Sequence, residues 1–161
     1  MSTDRPVDRC PQAAPAAVAA GRHALVRPPQ DRAQRTALAA YTAFRERHYE
    51  PYLQYAALRL GRSAAAEAAV MAAFTELAVS WTAILGGAGP AAAAWRILHD
   101  HIDRALGCGP TAVPASQAVQ ALQHDAHFLH EQMQLSPERI AEVLGVRPEN
   151  LPSLPPRAPQ E

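Results

Sequence analysis

The sequence predicts an all-α protein of two small helical domains. Three observations carry this. Apolar residues recur at spacings of three and four over several segments, the pattern of an amphipathic helix. No segment alternates apolar and polar residues over a useful length, and β-branched residues are few. Alanine, the strongest helix former, supplies more than a fifth of the 161 residues, while glycine and proline fall in clusters between the periodic segments.

Residues 1–30 are rich in proline and alanine with no period, and read as a disordered arm. A first helix is expected from about Asp31 to His48, with Leu38, Tyr41 and Phe44 on one face. Pro51 suits the first turn of a second helix that Gly61 ends, with Leu53, Ala57 and Leu60 as its stripe. Ser63 is positioned to cap a third helix, along which Val70, Phe74, Leu77 and Trp81 form a seam that reads as core. After Gly86, Gly87, Gly89 and Pro90, a fourth helix carries Trp95, Leu98 and Ile102, again as core, and ends at Gly107, Gly109 and Pro110. Residues 31–106 therefore form the first domain and 107–115 a linker. Ser116 is expected to cap a fifth helix with Val119, Leu122, Ala126, Leu129 and Met133 on one face. Ser136, Pro137 and Glu138 are a cap, a first-turn proline and an acid at the positive dipole end, so a sixth helix starts there and stops at Gly145. The second domain is 116–151. Residues 152–161 contain four prolines and are expected to be an irregular tail.

Fifteen arginines balance fifteen acids, and there is no lysine. Zero net charge argues against binding nucleic acid by bulk attraction. The charge is uneven. Residues 1–35 hold an excess of three positive charges and residues 107–161 an excess of three negative ones. No apolar run reaches the roughly 18–20 residues of a membrane span, and no secretory leader is evident, so the expectation is a cytoplasmic protein with no membrane partner. Cys10 and Cys108 make neither a disulfide framework nor a zinc set. His124, His127 and His130 drift round a helix surface and lack further ligands, so they read as a solvated face and no metal is expected. No nucleophile, phosphate-cradling or paired-carboxylate motif has a context, so neither enzyme activity nor a cofactor is expected.

Two stretches, in order, resemble bacterial RNA polymerase sigma factors of the extracytoplasmic-function type. The first runs from Phe44, Arg45, Glu46, Arg47, His48 and Tyr49 through Leu60, Gly61, Glu67, Val70, Phe74, Leu77 and Trp81 to Ala94, Trp95 and Ile102–Arg104. It is similar to the family's region 2. The second, Phe128–His130 and then Leu135–Val146, is similar to the helix-turn-helix of region 4, with Ala141 as the small residue inside the first helix and Gly145 at the turn. The resemblance implies a transcription-initiation protein that docks on core RNA polymerase through Glu67, Val70, Met71, Phe74 and Leu77. It also implies promoter DNA contacts from Arg96, Arg104, Arg147 and Asn150, and an anti-sigma factor as a further partner.

Both regions depart from the family pattern. Glu67 remains on a face that is otherwise Ala and Met, where the family carries acids and amides. The loop 82–93, which the family uses to capture a flipped base, holds no aromatic and no charge. Pro152 lacks an amide hydrogen, and Pro155 and Pro156 follow it, so the recognition helix is expected to be one turn at most. The local negative excess opposes docking on phosphates. The competing expectation is therefore a decayed sigma-like protein acting through protein–protein contacts without reading DNA.

Overall fold

The computed structural model describes residues 29–87, 89–109 and 115–155. Among them there are five α-helices, one 3-10 turn and no strand, so the protein is all-α. The helices are α1 (Pro29–Leu60), α2 (Ser63–Leu85), α3 (Pro90–Ala105), α4 (Ala115–Glu131) and α5 (Pro137–Leu144), and Pro148–Asn150 form the 3-10 turn. The expected arm lies outside the described residues, except that Pro29 and Gln30 already belong to α1.

The first two expected helices are one. α1 runs unbroken through Pro51 for 32 residues, about 48 Å at 1.5 Å per residue. A proline inside a helix removes one amide donor and crowds the carbonyl four residues back, here that of Arg47. That carbonyl is not orphaned, because the Arg139 guanidinium from α5 donates to it at 2.6 Å. The buried stripe of α1 is also not the expected one. Tyr52, Tyr55 and Ala56 are fully buried, whereas Leu53, Ala57 and Leu60 are half-buried beside them. Leu38, expected with Tyr41 and Phe44, is 64% exposed.

α2 and α3 follow the sequence closely. Val70, Phe74, Leu77 and Trp81 are buried, as are Trp95, Leu98 and Ile102. The Trp81 indole donates to the Ala37 carbonyl at 2.8 Å and the Tyr41 hydroxyl to the Phe74 carbonyl at 2.8 Å, which fixes the register of α1 against α2. Ser63 is the first residue of α2 and not its cap; the cap position is Arg62, which makes no side-chain capping bond. By length and composition α2 qualifies as a membrane-crossing helix, contrary to the expectation drawn from uninterrupted apolar runs. Glu67, Thr75 and Glu76 interrupt any such run, while its buried stripe packs against α1 and α3.

Ser116 falls inside α4, which starts at Ala115. Leu129, Ala126 and Met133 are buried as expected, but Val119 is exposed. Ser136 caps α5, accepting from the Arg139 amide at 3.3 Å, and Gly145 ends it in the left-handed conformation at φ 68°. The Val146 amide then reaches back to the Ala141 carbonyl and the Gly145 amide to that of Glu142, a Schellman closure. The expected short recognition helix is the three-residue turn Pro148–Asn150, after which Leu151–Pro155 is not helical. Buried residues from Tyr52 to Leu144 form one cluster, so the segments on either side of the linker share a core.

Candidate functional site

Only two of the five residues assigned to polymerase docking reach the surface. Glu67 and Met71 lie one turn apart on the outer face of α2, with Met71 45% exposed. Val70, Phe74 and Leu77 are buried, because they belong to the same stripe that holds α2 to its neighbours. Phe74 packs between Tyr49 and Tyr52, with ring centroids 6.0 and 5.7 Å away.

Beside Met71 runs a feature that the sequence reading missed. Leu38, Tyr41, Thr42, Arg45, Glu46, Tyr49 and Glu50 line an open groove of about 460 Å³ along α1. The Arg45 guanidinium lies over the Tyr49 ring, 5.6 Å from its centroid, and its Nη2 is 3.9 Å from the Met71 sulfur. The cation thus stands over an aromatic ring and donates to a thioether, with Glu46 and Glu50 lining the same groove. The signal was present in the sequence: 38, 42, 45 and 49 are spaced by four, three and four, a second stripe next to the buried one. Assigning it to a surface required the α1–α2 register, which only the fold supplies.

The residues assigned to DNA do not assemble into a donor array. Arg96 is exposed on α3. Arg104 donates to His101 Nδ1 at 3.0 Å, and His101 Nε2 faces Glu76 at 2.8 Å, so the imidazole carries its hydrogen on Nε2. Arg147 is paired with Glu149 at 3.8 Å. The backbone N–H of Asn150 closes the 3-10 turn onto the Arg147 carbonyl at 2.9 Å, and its side chain is exposed. Three residues of 3-10 helix rise only about 6 Å, too short to lie along a major groove about 12 Å wide.

The C-terminal module is instead fastened to the first three helices at three points. At the first, Arg47 from α1 grips the Glu142 carboxylate with both Nε and Nη2, the latter at 2.8 Å, while Arg139 Nη1 holds it at 2.6 Å. The Arg47 contact, opposed by partial burial and helped by Arg139, holds the Glu142 carboxyl down at about 2. At the second, Gly145 lies against the backbone of Ala91 and Ala92 at the start of α3. At the third, buried Asp125 of α4 accepts from the Tyr55 hydroxyl at 3.2 Å and the Trp95 indole at 3.0 Å, with His99 Nε2 at 3.2 Å. Burial disfavours the Asp125 charge, but the donors from His99, Trp95 and Tyr55 together outweigh it and hold the carboxyl below its usual range. Tyr55 moves the other way: burial first, then the Asp125 charge, pushes its phenol well up.

Next to Pro51, His48 is buried and stacked on Phe44, with ring centroids 4.1 Å apart. Among the described residues, its Nδ1 and the nearby Tyr52 hydroxyl have no partner. Burial, reinforced by the positive charges of Arg139 and Arg47 against the opposing Glu142, lowers the imidazole to about 4. The folded protein therefore keeps His48 neutral where the unfolded chain, titrating near 6.5, takes up a proton. Stability is present above pH 6.5 and falls as pH drops to 4, by about 3 kcal/mol in all. His48→Phe keeps the stack and is expected to flatten this limb, measured as urea midpoints at pH 7, 5.5 and 4.

Among the described residues no three His, Cys, Asp or Glu side chains gather to hold a metal. His130 is turned to the carbonyls of Pro155 at 3.1 Å and Leu135 at 3.4 Å, and Cys108 is exposed. No protein-family model, curated protein or solved structure matches the chain.

Proposed function

We propose that this chain is a sigma-factor-like transcription protein that docks on core RNA polymerase through the outer face of α1 and α2. One observation carries the reading: Met71 stands exposed where Arg45 of the α1 groove reaches it, with Glu67 exposed one turn earlier on α2, so a charged anchor and an apolar seat lie close together. A docked helix covering Leu38, Tyr49 and Met71 removes apolar surface from water, and Glu67 sets its register through a basic partner. Val70, Phe74 and Leu77 act only by holding α2 in place. Promoter DNA is contacted from Arg96 on α3, since Arg104 and Arg147 already have partners. The protein works in the cytoplasm, without enzymatic activity or cofactor, and an anti-sigma factor competes for the same face.

A second reading is favoured by the fastening of the C-terminal module. Arg139 and Glu142 of α5 are engaged with Arg47 of α1, which ties the C-terminal module to the first helix. In that reading the protein is a decayed sigma frame that binds proteins and does not read a promoter.

Purified protein is expected to co-elute with core polymerase at micromolar concentration, and Glu67→Arg to weaken that association about tenfold, roughly the 1.4 kcal/mol of one reversed charge contact. No co-elution would sink the docking proposal. Run-off transcription separates the two readings, since only the first predicts promoter-dependent product.

A further inference from the structure

We infer that Pro51 makes α1 a two-state hinge, and that Arg139 of α5 is the latch that holds it straight. α1 is continuous through a proline that cannot donate to the Arg47 carbonyl. The missing bond is replaced from another helix, by Arg139 Nη2 at 2.6 Å. The same guanidinium holds Glu142 at 2.6 Å, and Glu142 is gripped by the Arg47 side chain, so backbone and side chain of one residue are tied to α5 in a closed ring.

The neighbours of Pro51 bias the hinge toward opening. His48 Nδ1 and the Tyr52 hydroxyl are buried without partners while α5 is docked. When Arg139 leaves, water reaches the Arg47 carbonyl and enters the helix ladder, which is a common cause of a helix kink. The same water hydrates the two orphaned atoms. The latch offsets this bias, together with the Trp81–Ala37 and Tyr41–Phe74 bonds that hold the first half of α1 to α2.

The hinge divides α1 at a functional boundary. After Pro51, Tyr52, Tyr55 and Ala56 anchor the helix in the core. Before it lie Leu38, Tyr41, Arg45 and Tyr49, which line the groove beside Met71. This half is tied to α2 by the Trp81–Ala37 and Tyr41–Phe74 hydrogen bonds, and a kink at Pro51 breaks them and swings the groove away from α2. Docking of α5 and shape of the groove are therefore coupled, and a partner that selects the straight helix also favours the docked C-terminal module. The coupling to polymerase rests on the docking proposal above; the hinge itself does not.

The full chain with Cys10 and Cys108 changed to serine takes spin labels at Thr36→Cys and Leu58→Cys, 22 residues apart on either side of Pro51. Pulsed dipolar spectroscopy of the parent is expected to give one narrow distance near 33 Å. Arg139→Met keeps the apolar stem and removes the donors, and is expected to shorten and broaden the distribution. Adding Pro51→Ala restores an amide hydrogen to the Arg47 carbonyl and is expected to return the narrow distance, although α5 still lacks its guanidinium. An unchanged distribution for Arg139→Met, or no recovery with Pro51→Ala, overturns the hinge. If Arg139→Met leaves one tenth of the molecules straight, apparent affinity for core polymerase falls about tenfold and recovers with Pro51→Ala. An opened hinge with unchanged affinity contradicts the docking proposal and leaves the hinge standing.

Discussion

Replacing Asp125 by leucine is expected to destabilise the protein by about 3–5 kcal/mol. The carboxylate accepts from two donors in the interior, the Tyr55 hydroxyl and the Trp95 indole, and faces the His99 ring. Leucine fills the space but strands the Trp95 indole without an acceptor and leaves the Tyr55 hydroxyl only the His99 ring 3.1 Å away, at roughly 1–3 kcal/mol each. The lost contacts join α1, α3 and α4, so the effect is on global stability and not on one helix end. Asp125→Asn keeps an acceptor oxygen and removes the charge, and is expected to cost about 1–2 kcal/mol. Tyr55→Phe in the Asp125→Leu background removes one of the two donors and is expected to recover part of the loss. Urea unfolding at pH 7 measures all three. A cost under about 1 kcal/mol for Asp125→Leu contradicts a buried, satisfied carboxylate.

The second large effect is expected at Gly145. Its φ of 68° alone penalises any side chain by about 1–2 kcal/mol. A Cβ there also falls inside the backbone of Ala91 and Ala92, and backbone has no rotamer with which to yield. Gly145→Ala must therefore push α5 off α3, at about 3–5 kcal/mol. Gly61→Ala is the internal control. Its φ is 66°, but a Cβ there meets nothing within 4 Å, so only the conformational penalty applies. The excess of Gly145→Ala over Gly61→Ala in urea midpoint isolates the close approach. Amide exchange is expected to quicken in α5 and in the first turn of α3. Equal costs at the two glycines contradict the packing of α5 on α3.

These two positions show what was legible in the sequence and what was not. The seam of α2 and the stripe of α3 were readable, because each is a single helical period that local spacing encodes. Gly145 was readable as a left-handed helix end, but its contact with Ala92 was not, since nothing local records which helix lies above it. Pro51 was misread as a helix start because the donor that relieves it, Arg139, lies far along the chain. Asp125 sits among three histidines that read as a solvated face; its burial depends on Tyr55 and Trp95 from two other helices. Tyr52 and Tyr55 were passed over for Leu53 and Leu60 because a tyrosine's polar end hides its apolar body. Pro152 gave the length of the last helical turn correctly, since proline acts locally.

The candidate site followed the same rule. Glu67 and Met71 lie exposed on the outer face of α2. Val70, Phe74 and Leu77 were assigned both to the core seam and to docking, and the core holds them. The groove along Leu38, Arg45 and Tyr49 needed the tertiary register of α1 against α2.

The most direct test of docking through this face is site-specific photocrosslinking. A benzophenone amino acid at Met71, on the outer face of α2, is compared with one at Val119, exposed on α4. With core RNA polymerase, position 71 is expected to give one discrete adduct that Glu67→Arg diminishes, and position 119 none. No adduct from position 71, or equal yields from both positions, contradicts docking through the α1–α2 face.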